Sequence, residues 1–185
     1  MPLILCRRGL GDLFCHTEHL NYLWSCVGGV WYTFLVKIYV DADGAPWRDL
    51  VIERGKRQGV TVVIVADYSH DFHPEEGVER VFVDEGGDSA DYAIVNRVHA
   101  GDLVVTQDVG LASLVLPQGA TVISPRGYEF TEGSMDGRLA RRWLHGRIRK
   151  GGGRIAGPPP LSEDDRDRFL VLLDNKIIAS HEESR

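Results

Sequence analysis

From Val36 onward, short apolar runs recur at regular intervals and are separated by segments whose apolar residues fall at helical spacing. Val36 to Val40 reads as a strand. Pro46 to Gln58 reads as a helix, with proline near its start and Gly59 just past its end. Val60 to Ala66 is almost uninterrupted in apolar residues, as expected of a strand covered on both faces. Val78 to Val83 is a third strand. Ser89 to Val98 follows as a helix, with Ala90, Ala93, Ile94 and Val98 on one side. Asp102 to Thr106 is a fourth strand, Leu111 to Leu116 a short helix closed by Pro117 and Gly119, and Ala120 to Ser124 a fifth strand. Strands alternating with short helices predict parallel βαβ units, hence an α/β fold: an open, mainly parallel sheet with helices on both faces, an α/β/α sandwich.

The alternation stops at Pro125. Met135 to Ile148 has a helical pattern, Gly151 to Pro160 is a glycine- and proline-rich stretch, and Ser162 is placed to cap a last helix running to about Ile178. Phe169, Leu170, Leu172 and Leu173 give that helix an apolar side that should pack back on the core. At the other end, residues 1–35 show no clean period. They carry all three cysteines and only four charges, Arg7, Arg8, Asp12 and Glu18. The expected organisation is an atypical extension over 1–35, one domain over 36–178 and a tail over 179–185.

Composition adds limits. A chain of 185 residues that is 43% hydrophobic and 26% charged is long and apolar enough to bury one core. Its net charge of -6 argues against nucleic-acid binding by the whole surface, but leaves room for a basic patch. Cys6, Cys15 and Cys26 give no even disulfide framework, and a reducing cytoplasm is the expected setting. These cysteines with His16 and His19 lack the C-x2-C spacing of a zinc finger, so their expected role is none. Leu23 to Val36 is too short for a membrane span of roughly 20 residues.

The candidate chemistry lies at the strand ends. Ligands of open parallel sheets collect outside the carboxyl ends of the strands. Here those ends carry Asp41 and Asp43, then Asp84 and Glu85 with Asp88 and Asp91 close behind, then Asp108. Carboxylates crowded at one edge raise one another's pKa, and a hard divalent cation removes that penalty. Oxygen-only donors point to Mg²⁺ or Mn²⁺. Each acid also has a plainer role: Asp41 and Asp43 in a turn with Gly44, Asp88 and Asp108 as helix caps, Asp91 as a first-turn carboxylate. His70 and His73, with Asp71 and Glu75, lie in the loop after the second strand; two histidines three apart could bind a metal, but a polar loop is the expected reading, one that could also act as a lid over the strand ends.

The segments Val40-Asp41-Ala42-Asp43, Gly87-Asp88-Ser89-Ala90-Asp91, Asp102 to Asp108, Pro125-Arg126-Gly127 and Asp165 to Phe169 together resemble the YaiI/YqxD family of bacterial proteins, in the same order over about Val36 to Asn175. That family is similar in turn to PIN domains, metal-dependent nucleases with an α/β/α sandwich. The resemblance implies that Asp41, Asp88, Asp91 and Asp108 bind Mg²⁺ or Mn²⁺, that Asp41, Asp43 and Asp108 are catalytic, and that Thr106 and Arg126 contact phosphate oxygens of RNA. The chain departs from many PIN nucleases in having Ser124-Pro125 where another acid is usual; Asp43 is the candidate to compensate. Residues 1–35 have no counterpart in the family. Because Leu35 and Val36 can both arise from alternative bacterial start codons, the extension is expected not to be native.

Two rival readings use overlapping residues. Asp41-Ala42-Asp43-Gly44 also resembles the first motif of haloacid-dehalogenase-type phosphatases, with Asp41 as nucleophile. The second strand, however, ends in Ala66-Asp67 where that family wants serine or threonine. The other rival is non-catalytic RNA binding. Arg138, Arg141, Arg142, Arg147, Arg149, Lys150 and Arg154 form a stretch with no acid between Asp136 and Glu163. On a helix, Arg138, Arg141, Arg142 and Arg149 share roughly one side. This stripe could hold phosphates, with Trp143 stacking on a base; the alternative is a solvated face with Trp143 packed on the core.

Overall fold

The computed structural model describes residues 22–27, 30–41, 45–67, 76–84 and 88–182. Its main sheet has six strands in the order β5-β4-β3-β6-β7-β8. They are β3 (Lys37–Asp41), β4 (Thr61–Asp67), β5 (Val78–Val83), β6 (Leu103–Val105), β7 (Thr121–Ser124) and β8 (Tyr128–Phe130). All are parallel except β8, which pairs antiparallel with β7. The helices are α1 (Arg48–Gln58), α2 (Ser89–Val95), α3 (Val109–Val115), α4 (Glu132–Lys150) and α5 (Glu163–Glu182).

Strand alternation divides the core into two layers. Ile38, Val40, Val62, Ile64, Ala66, Leu103, Val105 and Ile123 point to one face, where they meet Val51 of α1 and Phe169, Leu173 and Ile177 of α5. Their neighbours Tyr39, Val63, Val65, Val104 and Val122 point to the other, where they meet Ala93 and Ile94 of α2, Leu111, Ala112 and Val115 of α3, and Met135 of α4. The expected three-layer α/β/α sandwich is therefore the observed one. Both faces of β4 are covered, which is why its sequence is apolar without alternation. α5 docks on the core as expected, and Ser162 caps it reciprocally: the Ser162 hydroxyl accepts from the Asp165 N–H at 3.1 Å, and Asp165 accepts from the Ser162 N–H at 3.0 Å. The helix continues to Glu182, so the expected tail is mostly helical.

Two elements differ from expectation. The alternation does not end at Pro125, because the chain turns back there into β8. Gly127 permits the turn. Its φ is 75°, and an added Cβ would lie 2.4 Å from Cβ of Arg168 on α5. A three-residue strand is too short to show a period. Upstream, β1 (Tyr22–Val27) and β2 (Val30–Leu35) form a separate antiparallel pair with Val27 opposite Val30. There the strand signal is compositional rather than periodic, since β2 reads Val-Trp-Tyr-Thr-Phe-Leu, nearly all β-branched or aromatic. The rest of the 1–35 extension lies outside the described residues. Among the described residues no helix is long and apolar enough to cross a membrane.

Gly55 sets the spacing of α1 on the sheet. A Cβ there would fall 2.4 Å from Cγ2 of Val62 and 3.0 Å from the Val60 carbonyl oxygen. Alanine gains about 1 kcal/mol over glycine from helix propensity, whereas overpacking a tight core costs about 1–3 kcal/mol. Gly55→Ala is therefore expected to lower the unfolding free energy in urea titrations; a more stable variant would show that the helix can move away freely.

Candidate functional site

The sheet changes direction at β3. The chain crosses from β3 to β4 and β5 on one side, and from β6 to β7 and β8 on the other. Helices leaving two adjacent strands in opposite senses leave a crevice at their carboxyl ends. Asp41 is the last residue of β3, and Thr106 directly follows β6. Both are buried. The Thr106 hydroxyl donates to Oδ2 of Asp41 at 3.2 Å and accepts from the Asp108 N–H at 3.0 Å, tying the two strand ends together.

Asp108 is in extended conformation just ahead of α3 and caps it, accepting from the N–H groups of Gly110 and Leu111. The same Oδ1 receives Nη1 of Arg142, reaching across from α4. Asp88 stands at the equivalent place before α2, but its side chain makes no capping bond. Of the two capping roles open in the sequence, only that of Asp108 is realised. Asp91 lies in the first turn of α2.

The carboxyl group of Asp91 registers the crowding. Its pKa is raised to about 6, first by burial and then by the charges of Asp108, Asp41 and Asp88, with Arg142 acting in the opposite direction. Acids from β3, α2 and the β6–α3 junction thus load one group. This donor set suits a hard divalent cation in chemistry and in charge. Yet among the described residues no three or more His, Cys, Asp or Glu side chains are gathered as ligands.

The other candidates are distributed as follows. Arg126 donates to the Pro159 carbonyl at 2.6 Å and lies 3.6 Å from Asp165, so it fastens the turn after β7 to the segment leading into α5. Ser124, where an acid is usual in PIN nucleases, is buried and its hydroxyl accepts from the Arg126 N–H. Arg141 is exposed on α4. Arg138 instead turns toward the body, over the rings of Tyr128 and Phe130 at 4.2 and 5.0 Å. Trp143 is 63% exposed, with Arg147 over its ring at 5.1 Å, so it is not a core residue. Asp43, Glu85, His70, His73, Asp71, Glu75, Cys6, Cys15, His16 and His19 lie outside the described residues. The contact of Arg142 with Asp108 was not foreseeable from the acidic motifs; the one local sign of it is glycine at position 110, inside a helix.

A family model described as "Uncharacterized BCR, YaiI/YqxD family" matches residues 39–179. A UPF0178 protein of Enterococcus faecalis is 46% identical over 141 residues, covering 75% of this chain and 95% of the relative. Another, from Bacillus thuringiensis, is 40% identical over 144 residues, covering 77% and 99%. Among solved structures, a variant of Rae1 (YacP) from Bacillus subtilis is similar at 21% identity and a TM-score of 0.36, covering 77% of this chain and 98% of that one.

The raised Asp91 pKa fixes the sign of a pH effect. Asp91 holds its proton more tightly folded than unfolded, so its ionisation opposes folding increasingly as pH rises from the ordinary carboxylate range through about 6. In metal-free buffer, Asp91→Asn is expected to be more stable than the parent at pH 8, by about 1 kcal/mol after allowance for solvent screening. The difference should vanish near pH 4. Urea denaturation at both pH values checks this; a variant less stable at pH 8 would contradict it.

Proposed function

We propose that this chain, which belongs to the YaiI/YqxD family, is a divalent-metal-dependent nuclease that hydrolyses phosphodiester bonds of RNA, with a PIN-like arrangement of acids. The observation that carries the reading is the convergence of carboxylate charge from separate elements at the crevice between β3 and β6, where Asp91 feels Asp41, Asp88 and Asp108. Asp41, Asp88, Asp91 and Asp108 would hold Mg²⁺ or Mn²⁺, and Asp43, two residues after Asp41, is the further acid proposed for catalysis. When bound, such an ion supplies Lewis acidity and charge neutralisation for attack on a phosphodiester. Thr106 fixes the Asp41 carboxylate and the start of α3, so its hydroxyl acts on the acids rather than on phosphate. Arg126, held by Pro159 and Asp165, serves the frame of the site.

RNA would be held by α4. Only Met135 of this helix is buried, and Arg141, Trp143, Arg147, Arg149 and Lys150 are all exposed along it. Through Arg142 the same helix touches the acidic crevice, so a strand lying along it would lead to the acids. Non-catalytic RNA binding uses the same surface but gives the acids no task. No observation favours the phosphatase reading.

Purified protein should cleave labelled single-stranded RNA only with Mn²⁺ or Mg²⁺, and Asp41→Asn should lower kcat/KM by about a hundredfold or more. Equal cleavage by the two proteins would overturn the assignment. Separately, Trp143→Ala should weaken RNA binding by about 1–3 kcal/mol, the scale of one base stacked on an aromatic ring, and Arg141→Ala should reduce the slope of log affinity against log salt by about 1. Unchanged affinity and slope in fluorescence anisotropy would remove α4 from the binding surface.

A further inference from the structure

We propose that residues 143–160 form an arm that grips single-stranded RNA, and that Arg126 is the residue that positions it. The inference rests on the RNA reading of α4. It extends that reading to the glycine- and proline-rich segment and to the motifs around Arg126 and Asp165.

The arm begins where α4 leaves the body. β8 runs antiparallel to β7, and its last residue, Phe130, pairs with Val122 near the start of β7. α4 therefore starts close to the amino ends of the strands and climbs. Met135 is buried, Arg138 lies over the rings of Tyr128 and Phe130, and Arg142 meets Asp108 beyond the carboxyl end of β6. From Arg142 to Lys150 the helix continues for about 12 Å, at about 1.5 Å per residue. The N–H groups of Gly151, Gly152 and Gly153 close its last carbonyls, and Gly152, with φ of 80°, turns the chain back. Among the described residues, no hydrogen bond or ion pair joins residues 143–158 to another element. Trp143, Leu144 and Ile148 are exposed and belong to neither core layer.

The far foot of the arm is fastened by different residues. Nη2 of Arg126 donates to the Pro159 carbonyl at 2.6 Å, and Nη1 lies 3.6 Å from Oδ2 of Asp165. Asp165 is buried, accepts from the Ser162 N–H and also receives Arg168. The Pro-Arg-Gly turn and the Asp-Arg-Asp-Arg-Phe segment thus meet at one carboxylate. Pro158, Pro159 and Pro160 each have a fixed φ, so a held Pro159 sets the course of the return limb. Arg126 is engaged on both sides and acts through the arm.

The charge of the arm selects its partner. Between its feet it carries Arg147, Arg149, Lys150 and Arg154 and no acid, in a chain of net charge -6. All four cations are exposed. Arg147 lies over the Trp143 ring at 5.1 Å. Cations around an exposed indole match a polyanion with unpaired bases: the cations take phosphates and the ring takes a base face. A duplex keeps its base faces in the stack, so the single strand is the favoured form. Arg154 lies on the return limb, so this surface extends past α4.

Fluorescence anisotropy of the full chain with a labelled single-stranded RNA of about twelve nucleotides, in EDTA, tests the arm. Arg154→Ala should lower the slope of log affinity against log salt by about 1 while leaving urea unfolding unchanged. An unchanged slope would remove the return limb from the surface. Arg126→Ala should weaken binding about fivefold with the slope unchanged, because the arm loses its order but no phosphate contact. Arg126→Lys, which keeps the charge and a donor, should recover part of that loss. Unchanged affinity in both Arg126 variants, or a lowered slope in Arg126→Ala, would overturn the positioning role. A duplex of the same sequence should bind more weakly than the single strand; equal affinity would overturn the selection of unpaired bases. Binding to vesicles of anionic lipid but not to RNA would overturn the partner. With metal chelated, these outcomes are read apart from cleavage, so equal cleavage by Asp41→Asn and the parent would end the nuclease reading without deciding them.

Discussion

The reversal of strand order at β3 is the constraint from which the candidate site follows. β3 is flanked by β4 on one side and β6 on the other, so the crossovers that leave β3 and β6 run in opposite directions. No helix can then cover the carboxyl ends of β3 and β6 together, and polar residues there escape the apolar layers above and below. Asp41 and Thr106 occupy this gap, joined by a buried hydrogen bond. Two helices begin at its rim, α2 after Asp88 and α3 after Asp108. Their N-termini favour negative charge, which makes a concentration of acids tolerable without a metal.

Tolerable is not relaxed. Asp91 is pushed well up by its burial and its acidic neighbours. The protein offsets part of this load with one cation from α4, on Asp108. Elsewhere the arginines are used differently: Arg126 and Arg168 converge on Asp165 at the start of α5, and Arg54 pairs with Asp174 farther along it. The basic residues of α4 beyond Arg142 instead stay in solvent, on a helix whose burial is confined to Met135.

Much of the fold was legible because each strand of the parallel core is short, apolar and bounded by turn residues. β5 matched its expected bounds, β3, β4 and β6 differed by one residue at each end, and β7 by one residue at its start. β8 escaped because three residues carry no period, and the β1–β2 pair because composition rather than alternation marks it. The acids were legible as residues at strand ends, but their roles were not. Asp88 and Asp108 look alike in sequence, each directly before a helix, yet only Asp108 makes the capping bonds. Arg126, in the Pro-Arg-Gly motif, looked like a phosphate ligand; its partners, Pro159 and Asp165, lie over 30 residues away. Such long-range pairings leave little trace in local pattern; Arg142 on Asp108 is another, 34 residues apart, with Gly110 its one local sign.

The central claim is the proposal that Asp41, Asp88, Asp91 and Asp108 at the β3–β6 crevice hold a divalent cation. A crystal of the protein soaked in Mn²⁺ and measured for anomalous scattering tests it directly. The account predicts a peak bounded by Asp41, Asp88, Asp91 and Asp108. Absence of a peak at the crevice, or a peak only elsewhere, would contradict it.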